Sequence, residues 1–154
     1  MPNKTTRITI ACFDGEYEFQ LSMAGIILIE EKAKCGIGAV YGLVMRGRFN
    51  NGEQDFGVPA EGVFSAGVLL EIVRQGLITG NKGRSDGAEF EVTPLKANML
   101  ISRYLDPDNG HSLMESWGIA AAVIHAAIEG VDVPDPDAKD AKPKKRKPGE
   151  TVPS

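Results

Sequence analysis

The chain has 154 residues, of which 42% are hydrophobic and 25% charged, and its formal net charge is −4. This is the size and composition of one ordinary globular domain, which excludes a collagen-like fibre and a wholly disordered chain. Two cysteines, Cys12 and Cys35, are too few for a disulfide scaffold or a Cys-rich metal site.

The apolar runs, such as Ile26 to Ile29, fall far short of the roughly 20 residues of a membrane helix. The polar opening ahead of Ile8 is read as carrying no secretory signal, so the expected compartment is a reducing cytoplasm. Residues 1–130 hold 11 Lys+Arg against 16 Asp+Glu, and residues 131–154 hold 6 against 5. An acidic body argues against a surface built for nucleic acid, because phosphate binding needs a basic stripe.

Residues 7–13 alternate with Ile8, Ile10 and Cys12 on one face, and Tyr17, Phe19 and Leu21 alternate after Asp14-Gly15. Asp-Gly between two alternating runs predicts a hairpin with a type I′ turn. Ser22 then caps a helix from Met23 to about Lys34, closed by a left-handed Gly36. That helix is apolar over more than one stripe: Met23, Ile26 and Ile27 lie on one side, with Leu28 and Ile29 beyond it.

A short second helix is expected over 37–46 with Val40, Tyr41 and Val44 on one side, and a loop over 47–62 with a small hairpin at Asn51-Gly52. A third helix follows from Val63 to Leu77, carrying Val68, Leu69, Ile72 and Val73. Residues 80–88 read as a flexible surface loop and Glu89 to Val92 as a short extended entry. Thr93 and Pro94 start a fourth helix that bears Leu95, Met99, Leu100 and Tyr104 and stops before Asp106-Pro107.

Ser112 and Glu115 form a capping box for the last helix, which Gly130 closes and whose Ala-rich face marks it as the centre of the core. The expected fold class is α+β, an N-terminal hairpin on about five helices over 1–130. A disordered Pro/Lys-rich tail follows over 131–154, where five of the nine prolines fall.

Residues of the types used in catalysis are present but not arranged for it. Gly36-Ile37-Gly38-Ala39-Val40-Tyr41-Gly42 hints at a dinucleotide fingerprint, yet its third glycine is one place late and it follows a helix. His111 and His125 lack partners at metal-ligand spacing; His111 reads as a loop residue and His125 as a packed or edge histidine. Cys12 reads as a small core hydrophobe, and Cys35 sits at a helix C-terminus, which disfavours a thiolate. The pairs Glu16/Glu18 and Glu89/Glu91 read as solvated strand edges. No catalytic, cofactor or metal site is expected, and the chain is not expected to be an enzyme.

The positive signals concern association. Ile26, Leu28 and Ile29 on the first helix, Tyr41 on the second and the single Trp117 are the candidate partner-binding side chains. The basic run 142–147 offers a weaker alternative, a small nucleic-acid-associated regulator, although acidic residues in the same tail dilute it.

Taken in order, the hairpin, the helix with Leu28-Ile29-Glu30-Glu31, the segment Glu71-Ile72-Val73-Arg74-Gln75-Gly76-Leu77-Ile78, the Thr93-Pro94 helix and the closing Ala126-Ala127-Ile128-Glu129-Gly130 are similar to a known pattern. They resemble the tail assembly chaperone family of long-tailed bacteriophages and gene transfer agents, also labelled tail tube related. The likeness covers about 7–130, with a longer 47–62 loop than that family's pattern.

The resemblance implies a non-catalytic factor that coats the tape-measure protein while tail tube protein polymerises around it. It further implies residence in the bacterial host's cytoplasm and absence from the mature virion; self-association is a further contact that the apolar and small-residue helices suggest. It also implies that a ribosomal frameshift near Lys144-Lys145 fuses a second domain to some molecules, against the plainer reading of a solubilising tail. The structural alternative is a tube or terminator subunit that stays in the particle.

Overall fold

The computed structural model describes residues 3–50 and 65–133. Among them the chain is α+β, and its strands are β1 (Lys4–Thr5), β2 (Ile8–Cys12), β3 (Gly15–Phe19), β4 (Lys82–Ser85), β5 (Ala88–Glu91) and β6 (Val131–Asp132). The helices are α1 (Met23–Ala33), α2 (Ile37–Asn50), α3 (Ala66–Gly80), α4 (Pro94–Tyr104) and α5 (Leu113–Glu129).

The predicted first hairpin is present, but its turn is displaced by one residue. Cys12 pairs with Gly15, so the two turn residues are Phe13 and Asp14, and the left-handed residue is Phe13 at φ 58°. Gly15 serves the sheet instead: a Cβ there would lie 2.0 Å from the carbonyl oxygen of Arg84 on β4. The Asp14 carboxylate accepts from the Tyr17 hydroxyl at 2.6 Å, which holds the turn against the strand that follows it.

The expected surface loop over 80–88 is not a loop: Gly80 ends α3, Asn81 follows as its cap, and from Lys82 the chain forms a second hairpin, β4 and β5, paired antiparallel from Lys82↔Glu91 to Ser85↔Ala88. Its turn is Asp86-Gly87, with φ 55° and 81°, the double positive φ of a type I′ turn. The hairpin expected alone is therefore half of a four-stranded sheet in the order β2-β3-β4-β5. The short flank Lys82-Gly83-Arg84-Ser85 shows no apolar alternation because its one buried position is a glycine, with Lys82 and Arg84 exposed and Ser85 half-buried.

Ser22 caps α1 as predicted, its hydroxyl accepting from the Gly25 amide at 3.0 Å. The helix ends at Lys34, left-handed at φ 61°, and not at Gly36. The Glu30 carboxylate then accepts from the Ile37 amide at 2.8 Å, placing a negative charge at the start of α2. Helix α2 runs to Asn50, beyond the predicted Arg46; the rest of the predicted loop, with Asn51-Gly52, lies outside the described residues.

In α3 the cap is Ser65, two residues after the predicted start, and Gly80 is the last helical residue, with Asn81 (φ 57°) as the left-handed cap. Thr93 and Pro94 start α4 as read. At α5 the predicted capping box is not formed: Ser112 makes no side-chain cap bond, and Glu115 turns back towards His111 instead.

Helix α3 packs on α1, α4 and α5 and against β3, so it shares the centre that was assigned to α5 alone. Tyr17, Phe19, Ile29, Leu69, Ile72, Leu77, Leu105 and Ile124 are the large side chains sealed between these layers. The tail boundary also moves. Val131 and Asp132 pair with Thr5 and Lys4, and the Val133 amide donates to Asn3 at 3.1 Å, so the body is tied to its own beginning. Residues 134–154 of the predicted tail lie outside the described residues.

Candidate functional site

The five predicted partner-binding residues separate by helix geometry. Ile29 is fully buried and Trp117 is 7% exposed. Trp117 also donates its indole N–H to the Val44 carbonyl at 2.9 Å, pinning α5 to α2. These two side chains build the core rather than present themselves to a partner, which corrects the earlier assignment. Ile26 is half-buried against the core, Tyr41 is half-buried, and Leu28 is 45% exposed. Helix α1 turns its Gly25–Ile29 stripe inward, four residues apart on one face, so the apolar surplus falls elsewhere on the helix.

That surplus is largest at residues outside the candidate set. Met23 is 71% exposed and Ile27 46%, a pair four apart on α1. Helix α4 repeats the pattern: Leu95 is 79% exposed and Met99 48%, while Ala97 and Leu100 face the core. Both helices pack on α3, so two apolar ridges flank one central helix. The signal available in the sequence was an excess of apolar residues over one face's needs; only the packing shows which of them are left outside.

The polar residues are mostly engaged with one another. Tyr41 on α2 lies 3.1 Å from His125 Nδ1 and donates to the Glu129 carboxylate at 3.2 Å, both on α5. Partial burial first, and then the Glu129 carboxylate, push the Tyr41 phenol above its ordinary range. His125 Nδ1 meets the same hydroxyl, so the three side chains form a helix-to-helix strut. The strand carboxylates are paired too: Arg84 lies 3.7 Å from Glu16 and 3.5 Å from Glu89, and Arg7 pairs with Glu18.

Cys12 packs against the core, and burial, followed by the Asp14 carboxylate, pushes its thiol up to about 12. Such a thiol stays protonated at neutral pH and is a poor nucleophile. A cavity of about 370 Å³ lies between α1, α2 and α3, with Cys35, Val40, Leu43 and Val68 in its wall. Another, of about 340 Å³, opens beside the first turn and the start of α5 and contains His111.

Among the described residues no group of three or more His, Cys, Asp or Glu side chains is placed to hold a metal ion. Nor is any helix among them long and apolar enough to cross a membrane. Comparison with protein-family models, with curated proteins and with solved structures found no match for the chain.

Proposed function

We propose that this protein is a non-catalytic binding module that covers amphipathic helices of another polypeptide, acting as a tail assembly chaperone for a tape-measure protein. The observation that carries this reading is the pair of exposed i, i+4 apolar ridges, Met23/Ile27 on α1 and Leu95/Met99 on α4. Large apolar side chains held out on rigid helices lose free energy in water and regain it by docking on an apolar helical stripe. Two short ridges give modest contacts that a polymerising tube subunit displaces, whereas one deep apolar cleft would not release its partner so readily. The acidic body keeps the chaperone soluble while it carries that surface.

Co-expression tests the reading directly. The tape-measure protein is expressed alone, with this chain, and with a Met23→Asp/Leu95→Asp variant. Soluble, co-purifying tape-measure protein with the wild type and its loss with the variant are expected. A tape-measure protein that stays insoluble beside the wild-type chain refutes the reading. Proteomics of purified particles separates a chaperone, which is absent from them, from a retained tube or terminator subunit.

A further inference from the structure

Independently of the apolar ridges, the aromatic residues form a chain of rings that ends in a cavity. Tyr17 links Phe90 and Phe13, with centroid distances of 5.8 and 5.3 Å. Phe13 continues to Tyr104 at 5.6 Å, and Tyr104 to the His111 ring at 6.4 Å. At the Phe90 end this chain already holds a cation, since Lys96 Nζ stands 4.8 Å from the ring centroid. At the other end Phe13, Tyr104 and His111 line the cavity of about 340 Å³, together with Glu115.

Glu115 supplies the carboxylate of the wall: it is half-exposed, its Oε1 lies 3.3 Å from His111 Nδ1, and among the described residues no Lys or Arg lines the cavity. Cys12, in the same wall, remains a neutral thiol. Ring faces carry partial negative charge and a carboxylate carries a full one, so both favour a weakly hydrated cation. The volume is that of a small-molecule pocket.

We infer that the cavity between Phe13, Tyr104, His111 and Glu115 is a binding site for an alkylammonium group, either the head of a free quaternary amine or a lysine side chain of another protein.

The test titrates the full-length chain with choline, with choline's neutral tert-butyl isostere, and with blocked lysine and blocked trimethyl-lysine, followed by NMR. Choline or a lysine form is expected to shift the amides of Phe13, Tyr104 and His111 saturably, and to slow alkylation of Cys12 relative to Cys35. Glu115→Gln removes the only carboxylate in the wall among the described residues and weakens binding roughly tenfold. Tyr104→Leu keeps an apolar side chain but removes the ring, weakening binding roughly three- to thirtyfold.

Preference for choline assigns the free amine, and preference for a lysine form assigns a protein side chain. Trp117 fluorescence reports that each variant is folded. Equal binding of the tert-butyl isostere, affinity unchanged in Glu115→Gln, or no saturable shift with any cation overturns the inference.

Discussion

Replacing Gly80 by alanine separates two opposing effects. Helix propensity alone favours the change: Gly80 is the last residue of α3, and Gly→Ala inside a helix gains up to about 1 kcal/mol. The surroundings oppose it. A Cβ at position 80 would stand 2.0 Å from the Glu18 carbonyl oxygen and 2.5 Å from its carbon. These are backbone atoms, so no rotamer relieves the overlap, and α3 must move off β3 by more than an ångström.

That movement disturbs the packing of Phe19 and Leu77 and two bonds at the same contact. These are Gln20 N–H to the Gly76 carbonyl at 3.1 Å and Arg7 Nη1 to the Gly80 carbonyl at 3.0 Å. Overpacking costs about 1–3 kcal/mol, and a backbone clash belongs at the top of that range. Weakened hydrogen bonds add about 1 kcal/mol, which the propensity gain offsets. The expected net destabilisation is about 3 kcal/mol, lowering the melting temperature by roughly 6–12 °C for a chain of this size.

Gly42→Ala is the control: it lies inside α2, where a Cβ meets nothing within 4 Å, so only the propensity gain remains. Thermal and urea melts followed by circular dichroism measure both variants. A Gly80→Ala protein that melts at or above the wild-type temperature refutes the assigned packing of α3 on β3.

Other expectations rest on single groups. Ser22→Ala and Thr93→Ala each remove a cap that accepts a backbone N–H and cost about 1 kcal/mol in urea unfolding. Ser112→Ala at the equivalent position of α5 costs less than about half that, because its side chain caps nothing. Ser116 Oγ is buried without a hydrogen-bond partner among the described residues, so Ser116→Ala is expected to be neutral or stabilising in the same assay.

The Cys12 thiol rises from 9.0 to about 12 in the fold. Its stabilisation is complete below pH 9 and declines as pH climbs towards 12, because the unfolded chain ionises first. Unfolding midpoints measured at about pH 8 and about pH 11 should fall less in Cys12→Ala than in the wild type.

Local chemistry was legible in the amino-acid order wherever the chain's own neighbours decide the outcome. Ser22 and Thr93 cap from three residues away, Pro94 opens a helix, and Asp106-Pro107 ends one. The stripe Val68, Leu69, Ile72 and Val73 turned inward as its period requires. The α+β class followed from those elements.

What depended on distant contacts was not legible. The same Asp-Gly dipeptide sits in the turn at 86–87 but not at 14–15, because Gly15 is needed against the Arg84 carbonyl, some seventy residues away in sequence. Hairpin β4–β5 is polar and short, so its Asp86-Gly87 turn is its one local signal, and its pairing with β3 is what no spacing within it encodes.

The first helix carries more apolar residues than one face can bury. Whether Ile29 or Ile27 is sealed depends on where α3 lies, which no spacing within α1 encodes. The ring-lined cavity is assembled from three stretches, at Phe13, Tyr104 and His111–Glu115. Periodicity reports the face a residue occupies on its own element, whereas burial, turn register and a cavity's walls are set by elements that meet only after folding.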